Sequence, residues 1–167
     1  MKRVLFLVAI LTLCFSSSRA ESVVNYQGEI ECGYSLGMGG NATGRVNLHT
    51  IQGISIGKYL STGVGAGLDY HYNFDDTSEL IVPVFLNIKG YLALGKKVTP
   101  FISCDAGVGF GVTGSVVDNM GLYVTPAVGF TAGIFKLQAG YNLQSLNIVN
   151  ISNTAINSVQ VKIGIMF

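Results

Sequence analysis

Read two residues at a time, long stretches of the chain separate into an apolar face and a polar or glycine face. Across residues 26–38 the even positions hold Tyr26, Gly28, Ile30, Cys32, Tyr34, Leu36 and Met38. The odd ones hold Gln27, Glu29, Glu31, Gly33, Ser35 and Gly37. Residues 63–74 set Val64, Ala66, Leu68, Tyr70, Tyr72 and Phe74 against Gly63, Gly65, Gly67, Asp69, His71 and Asn73. In 101–112, Ile102, Cys104, Ala106, Val108, Phe110 and Val112 oppose Phe101, Ser103, Asp105 and three glycines. The last stretch, 159–167, puts Val159, Val161, Ile163, Ile165 and Phe167 opposite Gln160, Lys162, Gly164 and Met166. Weaker alternation at 44–56, 80–94, 121–132 and 135–147 brings the predicted strands to eight.

The predicted connections also alternate in kind. Gly57–Ser61, Gly95–Pro100 and Gly133–Ile134 are short, with Gly, Lys and Pro, whereas Gly39–Thr43, Asp75–Glu79, Thr113–Met120 and Ile148–Asn157 are polar and mostly longer. Short turns at one end and longer loops at the other, with an even strand number, are the layout of bacterial membrane barrels. That layout puts both termini at the periplasmic end.

What decides the solvent is the polar face. It collects Glu29, Glu31, Arg45, His49, Asp69, His71, Lys89, Asp105, Lys136 and Lys162, while the apolar face is almost free of charge. Leaving out histidine, four acids stand against four bases. A soluble barrel is polar outside and apolar inside. The reverse pattern indicates lipid outside, and only helices and closed barrels satisfy their backbone groups there. The predicted fold is therefore all-β: an eight-stranded antiparallel up-and-down transmembrane β-barrel. Tyr70, Tyr72, Phe74 and Phe110 near the outer strand ends, and Tyr26, Phe130, Phe135 and Phe167 near the inner ends, read as two interfacial girdles.

Composition agrees with this. Of the 167 residues 49% are hydrophobic and only 11% charged, which excludes a disordered chain, and a net charge of +1 excludes a basic nucleic-acid binder. The first twenty residues read as a signal peptide: Lys2 and Arg3, then the apolar stretch Val4–Phe15, then Ser18-Arg19-Ala20 before a cut at Glu21. The expected organisation is thus 1–20 signal peptide and 21–167 barrel, exported to the cell outer membrane. Cleavage takes basic residues from 10 to 7 and leaves 9 acidic ones, so the mature charge is −2. Cys32 and Cys104 fall on opposed first and fifth strands with lipid-facing parity, and are expected as free thiols, since a disulfide needs Cα atoms within ~7 Å.

The eight segments and the terminal run Val161, Ile163, Ile165, Phe167 resemble the small OmpA/OmpX-like outer-membrane β-barrels over the whole mature chain. The glycine-rich runs Gly63–Tyr70 and Asp105–Gly111 resemble this group too. The resemblance implies that the C-terminal strand, with Phe167 last, is the signal read by the barrel-assembly machinery; an aromatic at position 165 is usual, and Ile165 stands there instead. Because the chain stops at the last strand, no further periplasmic domain is expected.

An eight-stranded barrel has an interior that side chains fill, and charges buried there must be paired. Hairpin register predicts Lys89 across from Asp105, Lys162 near Glu31 and His49 across from Asp69. Arg45 and Lys136 are left for Glu29 or for water. The inward glycines leave room for Tyr91, Tyr123 and Phe101. Ser35, His49 and Asp69 are the only candidates for nucleophilic chemistry, and that chemistry on a lipid substrate needs its nucleophile on the lipid side. The reading is a monomeric, non-enzymatic barrel without cofactor or metal, surrounded by outer-membrane lipid, with its interior closed by ion pairs. Its role would be envelope integrity or surface interaction through short outer loops, and no nucleic acid is involved. A lipid-modifying enzyme, a narrow pore and a soluble ligand-binding barrel are the alternatives.

Overall fold

A computed structural model describes residues 24–38, 44–72, 78–92, 97–112, 120–148 and 151–167. Residues 1–20, expected as a signal peptide, and most of the outer connections, with Phe74, lie outside these residues. Eight strands follow in order: β1 Val24–Met38, β2 Gly44–Ile56, β3 Leu60–Tyr72, β4 Ser78–Tyr91, β5 Thr99–Gly111, β6 Met120–Ala132, β7 Phe135–Ile148 and β8 Ile151–Met166. Each pairs antiparallel with its sequence neighbour, and β1 pairs with β8 to close the barrel. The seam runs from Glu29 opposite Met166 to Met38 opposite Asn157, and below it Gly28 and Phe167 exchange backbone hydrogen bonds of 2.7 and 2.9 Å. Closure removes every sheet edge along the seam, which a sheet in hydrocarbon requires.

Two boundaries differ from the sequence reading. The turn expected at 57–61 is tighter, because Leu60 and Ser61 already pair with Ile56 and Ser55. Gly57 takes φ +62°, a left-handed conformation that glycine adopts without steric cost, and Gly133 does the same at φ +61° in the two-residue β6–β7 turn. At the other end, the polar stretch 148–157 is mostly strand: Leu143 to Leu146 pair with Asn157 to Thr154, with a bulge before Ile148 meets Ile151. Asn, Ser and Thr suggested a loop there. Yet Leu146, Ile148, Ile151, Thr154 and Ile156 recur through a stretch free of Gly and Pro, and the pairing continues past the bulge.

The alternation is spatial. Odd positions of β1 to β6 and even positions of β7 and β8 point into the barrel, the parity changing across the Gly133–Ile134 turn. The outer wall is apolar on every strand: Leu86 is 60% exposed, Val128 61% and Ile163 62%. A wall of this composition needs hydrocarbon around it, since water-facing patches on monomeric soluble proteins rarely exceed a few hundred Å². No helix among the described residues is long and apolar enough to cross a membrane.

Inside, Phe85 of β4 is one of three large buried aromatic side chains, with Phe101 and Tyr123. Its partners in the sheet are Gly65 on β3 and Gly107 on β5, so its ring lies between two positions without side chains. A Cβ on Gly107 would meet the backbone of Val84 and Phe85, and one on Gly65 would meet the Phe85 ring. Gly107→Val is accordingly expected to destabilise the barrel by ~1–3 kcal/mol through overpacking. The heat-dependent shift in gel mobility would occur at lower temperature or denaturant concentration, and an unchanged transition would count against this packing.

Candidate functional site

The interior is a stack of three layers. At the base, near the chain termini, Tyr91 and Phe101 meet edge to face with ring centroids 5.9 Å apart. Gln27 donates to the Tyr91 hydroxyl and to Glu29, both at 2.8 Å. Above them sit the ions. Glu29 binds Lys89 through one carboxylate oxygen and Lys136 through the other, the second at 2.5 Å. Lys136 also binds Glu31, which lies 3.6 Å from Lys162 and accepts from Gln138 at 3.3 Å. The Lys89 and Lys136 ammonium groups stand over the Phe101 ring, at 5.2 and 5.5 Å from its centroid. Glu31 is 1% exposed and Lys89 fully covered. Such burial is tolerable only because each charge has an opposite charge and further hydrogen bonds.

The middle layer is aromatic. Phe85 stacks on Tyr123 at 5.5 Å, and His49 packs on both rings. His49 donates through Nε2 to Asp69 at 2.8 Å and accepts through Nδ1 from Lys162 at 3.0 Å, which satisfies both ring nitrogens of one neutral tautomer. Lys162 reaches on to Asp105 at 3.9 Å, and Asp105 accepts from Asn87 at 2.5 Å.

The third layer faces the opposite end. Asp69 accepts from Asn47 at 2.6 Å and lies 3.6 Å from Arg45. Arg45 donates to Gln144 at 2.9 Å, Ser158 at 3.2 Å and Ser35 at 3.4 Å, and Ser35 donates to Asn47 at 2.7 Å. One path of hydrogen bonds and ion pairs therefore runs from Tyr91 through Gln27, Glu29, Lys136, Glu31, Lys162, His49, Asp69 and Arg45 to Gln144, the Glu31–Lys162 and Asp69–Arg45 links being ion pairs at 3.6 Å. This layer also holds buried groups without a protein partner: Arg45 Nε, His71 Nε2, Asn142 Oδ1, Gln144 Nε2 and both amide atoms of Gln160. Buried polar groups of this kind are ordinarily satisfied by water.

All ten charged or histidine residues singled out from the sequence point inward. Lys162 meets Glu31, and His49 meets Asp69. Lys89 does not meet Asp105. The register sets Asn87 opposite Asp105 and Lys89 opposite Ser103, and the long lysine stem crosses the lumen to Glu29 instead. Arg45 serves Asp69 and not Glu29, because its strand neighbours hold it at the other end of the barrel. His71 lies beside Arg45 in the register without joining the network. The neutral members Asn47, Asn87, Gln138, Gln144 and Ser158 carry no charge to mark them in the sequence, although they share the inward parity. Tyr123 and Phe101 are buried as expected, while Phe85 was not foreseen as their companion.

On the outside, Cys32 and Cys104 are exposed free thiols. Val161, Ile163, Ile165 and Phe167 form the exposed edge of β8, with the Phe167 ring 6.5 Å from Tyr26. The Tyr26 hydroxyl donates to Gln52, and the Tyr34 and Tyr72 hydroxyls meet near the other rim.

No protein-family model and no curated protein sequence matches the chain. Solved structures do. Neisserial surface protein A (NspA) superposes with a TM-score of 0.65 at 14% identity, over 86% of this chain and 97% of that one. The outer membrane enzyme PagL gives 0.62 at 15% identity, over 81% and 98%. The outer membrane protein Ail of Yersinia pestis gives 0.51 at 11% identity, over 86% and 100%. At these identities the likeness is one of fold, and it spans nearly the full length of each relative. The chain thus has the closed, eight-stranded fold of the small outer-membrane β-barrels.

Proposed function

We propose that the chain is a non-enzymatic, non-conducting barrel of the outer membrane. It is exported by residues 1–20, inserted by the barrel-assembly machinery through Val161, Ile163, Ile165 and Phe167, and acts as a monomer. Its role is to strengthen the envelope and to present its outer connections to surface partners. The observation that carries this reading is the ion-pair layer of Glu29, Glu31, Lys89, Lys136 and Lys162, which spans the lumen beneath the Phe85–Tyr123 stack. A pore would need those pairs to part, leaving charges unpaired in a low-dielectric interior.

Enzymes occur on this fold, PagL among them. Nucleophilic attack on a lipid requires a serine and a histidine within reach of each other and of the lipid. Here His49 and His71 are both enclosed in the lumen, and Ser35 donates to Asn47 and not to a histidine. Loops on a rigid scaffold are where such proteins carry function.

Purified protein in a planar bilayer is expected to give no sustained conductance steps. Stable nanosiemens openings in the wild-type protein would refute the closed lumen. An altered lipid A profile in a deletion strain would favour the enzymatic reading instead.

A further inference from the structure

The charges left outside the lumen are sorted along the barrel axis. The three connections at the end bearing the termini, residues 57–59, 92–98 and 133–134, hold Lys58, Lys96 and Lys97 and no acid. Asp75, Asp76 and Asp118 all belong to connections of the opposite end. The positive end also carries two hollows on the lipid-facing wall. One, of about 470 Å³, lies among Ile30, Phe135, Ile163 and Ile165, above the small residues Ala132 and Gly164, and straddles the β1–β8 seam. The other, of about 500 Å³, lies among Leu92, Ile102, Val128 and Val161, above Gly129 and Ala139. Both reach Phe130 and Leu137, which face each other across β6 and β7 and form the ridge between them.

The origin of the hollows is local. Ala132 and Ala139 stand at wall positions where the surrounding residues are large, so the surface dips between them. The second hollow ends at Leu92 and Pro100, which close the base of the β4–β5 hairpin with a backbone hydrogen bond of 2.8 Å. Lys97 is exposed in the turn just beyond.

We propose that this face holds one diacyl phospholipid with an anionic headgroup, one acyl chain in each hollow on either side of the Phe130–Leu137 ridge, and its phosphate beside the exposed Lys97. Two neighbouring furrows divided by one ridge match a ligand with two chains better than a single-chain amphiphile. The three lysines of these turns outnumber Glu21, the acidic residue that precedes β1 in the sequence, and favour negative charge, and a basic residue near a membrane surface is worth ~1 kcal/mol toward anionic lipid. The site rests on the membrane-spanning reading.

The test is native mass spectrometry of the folded protein in neutral detergent, with dioleoyl phosphatidylglycerol or dioleoyl phosphatidylcholine added at equal concentration. One phosphatidylglycerol is expected to stay bound, with phosphatidylcholine retained about tenfold less, and Lys97→Glu is expected to erase that preference. Ala132→Leu and Ala139→Leu, which fill the hollows, should reduce retention of phosphatidylglycerol, while Ala66→Leu on the β3 wall should not. Equal retention of the two lipids, or full retention by both hollow-filling variants, would overturn the site. Lys97→Glu lies in an exposed turn and leaves the fold intact, so the headgroup arm reads out even where a wall variant fails to fold. Failure of the wild-type protein to insert into vesicles would instead remove the membrane reading beneath it.

Discussion

Replacing Glu31 with leucine is expected to destabilise the barrel by about 3–5 kcal/mol, the cost of leaving buried charges without their partner. Glu31 faces Lys136 and Lys162 at once. Its loss leaves Glu29 to hold Lys89 and Lys136, and Asp105 at 3.9 Å as the remaining acid beside Lys162. The second replacement Lys136→Met, added to Glu31→Leu, should recover much of the loss, because it removes the ammonium that Glu31 had neutralised. A double-mutant cycle therefore ought to show coupling, which for groups in one network runs ~0.5–3 kcal/mol. Urea titration of the reconstituted protein, followed by heat-dependent gel mobility, measures both effects. A Glu31→Leu barrel as stable as the parent would mean that these charges are hydrated and not paired.

The second large effect belongs to the outer wall. Leu86 stands near the middle of β4 and is mostly uncovered. On a water-facing surface, Leu→Arg there would change stability by no more than ~0.5 kcal/mol. In a bilayer it places a guanidinium at mid-depth, and the expected cost is ~2–4 kcal/mol. Val128→Arg on β6 should behave alike, whereas Leu92→Arg, at the strand end, should cost ~0–1 kcal/mol. This depth dependence is the diagnostic: comparable, small effects at all three positions would point to water around the barrel. The measurement is unfolding in lipid vesicles, because detergent follows the protein surface and blurs depth.

The contrast between the two faces was legible in the sequence because period two is a geometric necessity of a strand. Glu29, Glu31, Arg45, Asp69, Lys89, Asp105, Lys136 and Lys162 could be assigned to the lumen by parity alone. Which acid meets which base was not legible, and Lys89 shows why. Parity fixes the face, and register fixes the height to within a residue or two. A lysine stem across a narrow lumen, however, can reach strands that are not its neighbours. The same limit hid Phe85, whose place depends on Gly65 and Gly107 lying in one row of three strands. At 151–156 the composition argued for a loop and the alternation for a strand, and backbone pairing with β7 decided it. Neutral amides such as Gln138 and Gln144 carry no charge to mark them, whereas the lumen selects for hydrogen-bonding capacity of any kind.

The wiring of the ion pairs bears on how such a molecule is made. Lys89 on β4 and Lys136 on β7 both end on β1, and Lys162 joins β8 to β1 and β5. None of these links forms within a hairpin. The first four strands hold Glu29, Glu31, Asp69 and Glu79 with Arg45 and Lys89, two acids too many, and the last four hold Asp105 with Lys136 and Lys162, one base too many. An unfinished sheet would therefore expose uncompensated ions on its concave side, and hydrocarbon could not enter that concavity without a heavy electrostatic penalty. Water must stay there until the first and last strands meet, so neutralisation, dehydration and ring closure become a single cooperative event. A chain arrested before β8 would linger as a hydrated, open gutter, a form that quality-control proteases can recognise.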